Sequence, residues 1–202
     1  MQGVQKRFVL GVSGASGACY TLRFLELLLA GGHEVHLVVT DYGRRLLAEE
    51  AGIESLSRER LCCASPTGPG TLVVHPNKDV GAVIASGSFL HSGMVVLPCS
   101  SASLGAIATG SGSNLLCRAA AVTLKERRPL IICHREMPLS LIDIRNMETL
   151  ALAGATLCSP NPGFYLGPTR VEDLVDFVVG KVLDLLHVPH TLATRWDGST
   201  RR

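Results

Sequence analysis

The sequence predicts one α/β domain built on a doubly wound, mostly parallel β-sheet. Short apolar runs alternate with stretches of helical periodicity along most of the 202 residues, which is the pattern of βαβ units. The first apolar run ends in a turn of glycine and serine, where such domains bind phosphate. A composition of 47% hydrophobic and 18% charged residues fits a sheet that helices cover on both faces.

The first strand and its turn occupy residues 8–17. Five mostly apolar residues lead into the turn residues Ser13, Gly14, Ala15, Ser16 and Gly17. The glycines would let the backbone approach a ligand, and the amides at the next helix end would face its negative charge. The hydroxyls of Ser13 and Ser16 would add donors. The glycine spacing is not that of a dinucleotide fingerprint and no P-loop lysine follows, so a turn that binds nothing remains an alternative.

The rest of the first half predicts two helices and two further strands. Leucines recur at helical spacing across residues 18–30, and a pair of glycines then ends the helix. A strand at residues 34–39, a helix at 42–51 and a short strand at 71–75 follow, the last inside an irregular region at 52–79. Asp41 follows the second strand, where an acid either binds a ribose hydroxyl or caps the next helix.

The second half continues the alternation of strands and helices. Strands are predicted at residues 94–98, 130–133 and 155–158, and helices at 101–108, 114–125, 140–153 and 171–186. Because the strands run parallel, their carboxyl ends meet at one edge of the sheet, where ligands bind. That edge would collect residues 13–17, Thr40, residues 100–103 and residues 134–136 into a pocket rich in hydroxyls and backbone donors. Residues 1–186 form the predicted domain and residues 187–202 a polar C-terminal tail.

Composition and charge argue against several classes of function. A net charge of +2 is too small to imply nucleic acid, and 4% aromatic residues argues against a stacking platform for single strands. The seven cysteines form no C-x-x-C pair, so we expect reduced thiols in a cytoplasmic protein and no metal site. No apolar run reaches transmembrane length, so we expect no membrane partner.

Two polar runs could carry chemistry. Residues 125–128 read Lys-Glu-Arg-Arg, which could be cations that complement the end of a helix dipole. Arg135 and Glu136 follow a predicted buried strand, where Arg could grip a phosphate and Glu could exchange a proton with it. A surface ion pair between them is the alternative. We expect the neighbouring His134 to be a structural histidine.

These motifs occur in the order and context of a known family. Its matching stretches are residues 11–17, 85–88, 97–100, 118–120, 124–130, 135–136, 162–165 and 171–179. The sequence resembles the flavin prenyltransferase family of the UbiX type, long described as aromatic-acid or 3-octaprenyl-4-hydroxybenzoate decarboxylases. The resemblance covers nearly the whole chain, and the runs at 124–129 and 135–136 are its most specific parts.

The resemblance implies a flavodoxin-like (Rossmann-like) subunit that binds FMN and works without a metal. In such a protein the dimethylallyl group of dimethylallyl monophosphate is transferred to reduced FMN, with bonds at N5 and C6. The product, prenylated FMN, would serve a partner decarboxylase of the UbiD type. The resemblance also implies a homododecamer in which neighbouring subunits build each site.

The resemblance assigns roles to particular residues. Ser16 and Glu50 would lie near flavin N5 and help to move protons, and Glu136 would handle protons on the phosphate. Residues implied to bind the flavin are Gly14, Ala15, Ser16, Thr40, Ser100, Ser103, Arg118 and Arg135. Residues implied to surround the prenyl phosphate are Ser86, Gly87, Lys125, Arg135, Glu136, Tyr165 and Lys181. Lys125 joins Ser16, Glu50 and Glu136 as catalytic, and Tyr165 and Lys181 would come from another chain.

Three positions depart from the family pattern. Lys181 replaces the usual Arg, which keeps the charge but loses the two-pronged grip on phosphate. Ala121 stands where Asp is common, and Val80 stands where some relatives carry a bulky aromatic residue. The choice of a monophosphate or diphosphate donor stays open.

Two other functions stay open as alternatives. A flavin-dependent cysteine decarboxylase of the phosphopantothenoylcysteine decarboxylase type would need a catalytic His and an Asn-containing motif. Residues 98–103 read Pro-Cys-Ser-Ser-Ala-Ser, without that Asn. A non-catalytic FMN carrier is the second alternative, and the joint presence of Lys125, Arg135 and Glu136 speaks against it.

Overall fold

A computed structural model describes residues 5–62 and 68–196 of the chain. The strands are β1 (Arg7–Val12), β2 (Glu34–Val39), β3 (Thr71–His75), β4 (Met94–Cys99), β5 (Leu130–His134) and β6 (Thr156–Leu157). They form one parallel sheet in the order β3-β2-β1-β4-β5-β6. The chain first builds outward from β1 to β3 and then returns to the other side of β1, which confirms the predicted doubly wound α/β fold.

Helices cover both faces of this sheet. They are α1 (Ala18–Ala30), α2 (Asp41–Ala51), α3 (Arg58–Leu61), α4 (Ser101–Ala108), α5 (Leu115–Lys125), α6 (Leu141–Leu152) and α7 (Val171–Leu185), with a 3₁₀ turn at Val83–Ala85. One buried core joins α1, α2 and α7 to the sheet, and a second joins α4, α5 and α6 to its other face. The sheet is therefore the middle of three layers.

The strand sequences explain why both faces are buried. Side chains alternate between the faces of a strand, so Phe8 and Leu10 enter the first core while Val9 enters the second. Each of these side chains is almost fully buried. Burying one such side chain contributes about 1.5–3 kcal/mol, which favours apolar residues at most positions of the central strands.

Polar residues at the carboxyl ends of strands begin the next helices. Thr40 caps α2 by accepting a hydrogen bond from the Gly43 amide at 3.1 Å, and Ser100 caps α4 in the same way through Ser103 at 3.3 Å. The cap of α2 is therefore Thr40 and not Asp41, which lies in the first helical turn. These caps place hydroxyls at the sheet edge where the strands end.

The structure adds one helix that the sequence pattern does not predict. Helix α3 spans only four residues within the region 52–79, too few to show a helical period. The first part of the C-terminal tail packs on α7, because Asp184 pairs with His190 at 3.1 Å and Thr194 is buried beside Gly180. Residues 197–202 lie outside the described residues.

Three further observations concern the described residues alone. Six cysteines within residues 5–62 and 68–196 are free thiols, and Cys63 lies outside these ranges. In the same ranges no helix combines the length and the apolar character needed to cross a bilayer. No group of three or more His, Cys, Asp or Glu side chains there could hold a metal ion.

Candidate active site

The turn after β1 is hydrogen-bonded to the end of β4. The buried Ser13 hydroxyl accepts a hydrogen bond from the Ser100 amide at 2.8 Å and donates one to the Pro98 carbonyl at 3.2 Å. Strands β1 and β4 meet where the strand order reverses, which is where doubly wound sheets bind ligands. The prediction that Ser13 offers its hydroxyl to a ligand is therefore wrong, because internal partners use that hydroxyl.

A carboxylate from α2 occupies the N-terminus of α1. Glu50 Oε2 accepts hydrogen bonds from the amides of Gly17 and Ala18, each at 2.9 Å. Helix α1 has no side-chain cap of its own, so Glu50 takes that place and complements the positive helix end. The prediction that both amides face a ligand's negative charge is therefore wrong.

Glu50 is held in its charged form. Burial raises its pKa, but the amides of Ala18 and Gly17, the Ser16 hydroxyl and the positive charge of Arg135 outweigh this effect and lower the pKa overall. The Ser16 hydroxyl is exposed and bonded to this carboxylate. The pair presents a hydroxyl to a ligand and an ionised acceptor behind it, an arrangement that can receive a proton.

Small residues and hydroxyls surround this pair. Gly14 lies against Tyr42, and a Cβ on Gly14 would approach the Tyr42 Cβ to 2.5 Å, so a larger residue would displace the turn. Ala15 is buried beside it. The hydroxyls of Thr40, Ser100 and Ser103 lie at the ends of β2 and β4. The Ser100 hydroxyl donates to the Ser103 oxygen at 3.4 Å.

Arg135 and Glu136 extend the site from the end of β5. The Cys99 carbonyl accepts hydrogen bonds from the Arg135 amide at 3.1 Å and from His134 Nδ1 at 3.0 Å, which fixes the strand end. Arg135 Nε is buried without a hydrogen-bond partner, and the exposed Glu136 carboxylate accepts only from the Met137 amide among the described residues. No ion pair joins Arg135 to Glu136 within residues 5–62 and 68–196, so the alternative of a surface ion pair is wrong.

His134 is structural only in part. Its Nδ1 has a partner, whereas Nε2 is buried without a hydrogen bond and lies 3.8 Å from Asp143 Oδ1. Asp143 in turn forms a capping box with Ser140 at the start of α6 and is bonded to the Ser101 side chain. The His134–Asp143 contact therefore links β5 to the starts of α4 and α6, which sequence reasoning did not find.

We call these residues the carboxyl-edge site. Its members are Gly14, Ala15, Ser16, Thr40, Glu50, Ser100, Ser103, Arg135 and Glu136. All of them lie beside the carboxyl ends of β1, β2, β4 and β5. The residues that the sequence predicts at this edge therefore lie at the same edge of the sheet within one chain.

A second group lies at the opposite edge of the sheet. Arg128 precedes β5 and donates to the Gly87 carbonyl at 2.6 Å, while the Ser92 amide donates to the carbonyl of Arg7, where β1 begins, at 2.7 Å. These bonds place Ser86 and Gly87 beside the amino ends of the strands. Lys125 ends α5 at the same edge, against Gly87.

We call Ser86, Gly87 and Lys125 the amino-edge site. Lys125 forms an ion pair with Glu126, and this contact lowers the pKa of Glu126. The Ser86 hydroxyl lies 2.8 Å from that of Ser88, and both serines are exposed. A rise of about 3.3 Å per residue over five or six residues separates the two edges by roughly 16–20 Å. No side chain spans that distance, so one chain does not bring the two sites together.

The remaining candidate residues are exposed and lie on two helices, α5 and α7, and in the loop before α7. Arg118 and Lys125 are two turns apart on α5, with Ala121 between them on the same face. Tyr165 packs edge-on against Phe177 at 5.7 Å between ring centres, and Lys181 lies one turn further along α7. Tyr165, 64% exposed, and Lys181 are thus displayed outward from the chain.

Comparison with known proteins defines the class first. A family model described as Flavoprotein matches residues 2–183, so the chain is a flavoprotein with a doubly wound α/β fold. Flavin prenyltransferase UbiX of Halalkalibacterium halodurans is 43% identical over 190 residues, which cover 94% of this chain and 92% of that protein. The chain belongs to the flavin prenyltransferase (UbiX) family.

Two solved structures are similar throughout their length. AnUbiX, solved in complex with FMN and dimethylallyl pyrophosphate, has a TM-score of 0.88 and 36% identity, covering 96% of this chain and 99% of its own. The dodecameric FMN-dependent UbiX-like decarboxylase of Escherichia coli O157:H7 has a TM-score of 0.86 and 36% identity, with coverage of 95% and 100%.

Proposed function

We propose that this protein is a flavin prenyltransferase. It transfers the dimethylallyl group of dimethylallyl monophosphate to reduced FMN, forming bonds at N5 and C6 and releasing phosphate, without a metal. The observation that carries this proposal is the carboxyl-edge site, in which an ionised Glu50 backs an exposed Ser16 hydroxyl near the positive charge of Arg135. A proton acceptor and an anion-binding group thus stand side by side.

The carboxyl-edge site fits FMN. The turn at Gly14 and Ala15 carries no large side chain beside the exposed Ser16, and the hydroxyls of Thr40 and Ser103 supply neutral donors, while the Ser100 hydroxyl donates to Ser103. The amides of Gly17 and Ala18 are taken by Glu50, so the FMN phosphate needs cations elsewhere, and Arg118 and Arg135 are its candidates. When bound, reduced FMN supplies the electron-rich atoms that the prenyl group attacks.

Two carboxylates divide the proton transfers. Glu50 accepts, through the Ser16 hydroxyl, a proton that a ring nitrogen loses on alkylation. Glu136 holds or releases a proton on the phosphate, and Arg135 neutralises the charge that grows there as the carbon–oxygen bond breaks. Phosphate leaves readily only when its negative charge is neutralised. These residues therefore lower the barrier to carbon–oxygen bond cleavage by electrostatics.

The complete site needs more than one copy of the chain. The amino-edge site lies too far from Glu136 of the same chain to act on one substrate, so a neighbouring copy supplies it in a homododecamer. The resemblance to the family adds Tyr165 and Lys181 from another copy. Lys125 then adds a second cation to the phosphate, with Ser86 and Gly87 as hydrogen-bonding groups. Lys181 contributes a point charge, a weaker grip than the Arg usual at this position.

The flavin-binding domain and the cell compartment belong to the same proposed function. Residues 1–186 form the flavin-binding domain, and the protein works in the cytoplasm, where free thiols persist. Prenylated FMN passes to a decarboxylase of the UbiD type.

The proposal is tested by replacing Glu136 with Gln, which keeps the shape and removes the carboxylate. The enzyme should bind FMN as before but lose about 10²–10⁴-fold in single-turnover prenylation under anaerobic conditions. The same replacement would leave the behaviour of a non-catalytic FMN carrier unchanged. Wild-type protein that binds FMN yet forms no prenylated flavin, or that instead decarboxylates a cysteine-containing substrate, would overturn the proposal.

A further inference from the structure

We propose that Arg128 is a positioning residue that holds the loop at residues 86–90 where it receives the prenyl phosphate beside Lys125. This inference rests on the proposed function, since that function gives Ser86 and Gly87 their ligand. In the polar run at 125–128 the resemblance gives a role to Lys125 and none to Arg128. The structure bonds Arg128 to the loop at residues 86–90.

Arg128 bridges two carbonyls of the loop. Its Nη1 donates to the Phe89 carbonyl at 2.8 Å and its Nη2 to the Gly87 carbonyl at 2.6 Å. The side chain is only 13% exposed, so water competes little for these bonds. A guanidinium has two parallel donors with fixed spacing, whereas a lysine offers one point charge. The fork thus fixes the curvature of the loop between Gly87 and Phe89.

Phe89 provides a second anchor for the same loop. The Arg7 guanidinium lies 4.8 Å from the centre of the Phe89 ring, and the His36 ring meets it edge-on at 4.7 Å. Arg7 also donates to the Leu90 carbonyl at 3.2 Å. Arg7 and Arg128 bind the carbonyls of this loop, and Ser86 and Ser88 remain exposed.

The anchored loop and Lys125 form one unit. A Cβ on Gly87 would collide with the Glu126 carboxylate and would lie 2.9 Å from Lys125 Nζ, so the glycine allows the loop to touch both side chains. Glu126 pairs with Lys125 and lies 4.0 Å from Arg128. A displacement of the loop would therefore remove Ser86 and Gly87 from the side of Lys125.

Loss of Arg128 should weaken substrate binding more than chemistry. A free loop must be ordered each time the prenyl phosphate binds, and that cost raises KM. Once the substrate is bound, Glu50, Glu136 and Lys125 are unchanged, so kcat should be retained. Variants of Lys125 itself should instead lower kcat.

The experiment compares Arg128→Ala and Arg128→Lys with Arg127→Asn as a matched control. Arg127 is exposed with a φ of 56°, a conformation that Asn tolerates, and the control also removes one positive charge. Loss of two charge-assisted bonds should raise KM for dimethylallyl monophosphate about 10–100-fold in Arg128→Ala. The KM of Arg128→Lys should lie between those of wild type and Arg128→Ala. Added guanidinium ion should lower the KM of Arg128→Ala. FMN affinity and kcat should stay within about threefold of wild type.

Amide hydrogen exchange tests the clamp without activity. In Arg128→Ala the amides of residues 86–90 should exchange faster, and in Arg127→Asn they should exchange as in wild type. Unchanged exchange in Arg128→Ala, or an unchanged KM, would overturn the inference. A fall in kcat at constant KM would do the same. Inactive wild-type protein would instead count against the proposed function, and the exchange result would still decide the role of Arg128.

Discussion

Replacing Glu50 with Gln removes a carboxylate that accepts hydrogen bonds from two backbone amides and from the Ser16 hydroxyl. In the wild type the amides of Gly17 and Ala18 each lie 2.9 Å from Glu50 Oε2. The side-chain oxygen of Gln can still accept hydrogen bonds from both amides, so the first turn of α1 should stay folded. Because Glu50 is exposed, solvent screening limits the loss in unfolding free energy to about 1 kcal/mol. The proton acceptor behind Ser16 disappears, however, so the prenylation rate should fall about 10²–10⁴-fold.

The stability difference between wild type and Glu50→Gln should depend on pH. The folded-state pKa of Glu50 is lowered, so its contribution is fully present above the unfolded pKa of about 4.3. That contribution is lost as pH falls through the folded pKa. Denaturant unfolding should therefore show a constant difference near neutral pH that shrinks below about pH 4.

The matched control is Glu49→Gln, which removes the neighbouring carboxylate. Glu49 forms an exposed ion pair with Arg45 at 2.7 Å, and among the described residues its side chain makes no hydrogen bond or ion pair with the carboxyl-edge site. Anaerobic single-turnover assays should find this variant as active as wild type. A Glu50→Gln protein that prenylates FMN at the wild-type rate would refute the role given to Glu50, and so would equal losses in both variants.

Two further predictions address the frame and the assembly. Ser13→Ala should lower the unfolding free energy by about 0.5–1.5 kcal/mol, because the half-buried Ser100 amide loses its acceptor. A urea titration that finds no change would contradict this. The variants Lys125→Met and Glu136→Gln should each be inactive alone. Oligomers assembled from an equal mixture of the two should regain roughly a quarter of wild-type activity. The reason is that about a quarter of randomly mixed sites receive both native residues. No recovery in verified mixed oligomers would mean that the two residues serve the same copy's site.

The sequence was most informative where structure is local. Hydrophobic periodicity and glycine stops predicted α1 and β2 to the residue, because a helix or buried strand of this length shows its own period. The links between Ser13 and Ser100, and between Glu50 and the start of α1, join residues distant in sequence. No local pattern announces such contacts, so the use of Ser13 and of the Gly17 amide was predicted wrongly.

The positions of some candidate residues in the fold followed from the sequence, and those of others did not. Motifs identified Ser16, Arg135 and Glu136 near one edge, because each follows a strand that ends there. Lys125, in contrast, ends a helix that precedes a strand, and such a residue must lie at the opposite edge. The sequence was therefore sufficient to predict that Lys125 lies at the other edge of the sheet from the carboxyl-edge site. The bonds of Arg128 were not available, since they depend on how the loop at residues 86–90 returns to β1 and β5.

The most direct test of the account is the mass of the flavin released after anaerobic incubation of the purified protein with reduced FMN and dimethylallyl monophosphate. We expect FMN that has gained one five-carbon prenyl unit, with no metal added. Bound FMN of unchanged mass, under conditions in which a known flavin prenyltransferase forms the product, would contradict it.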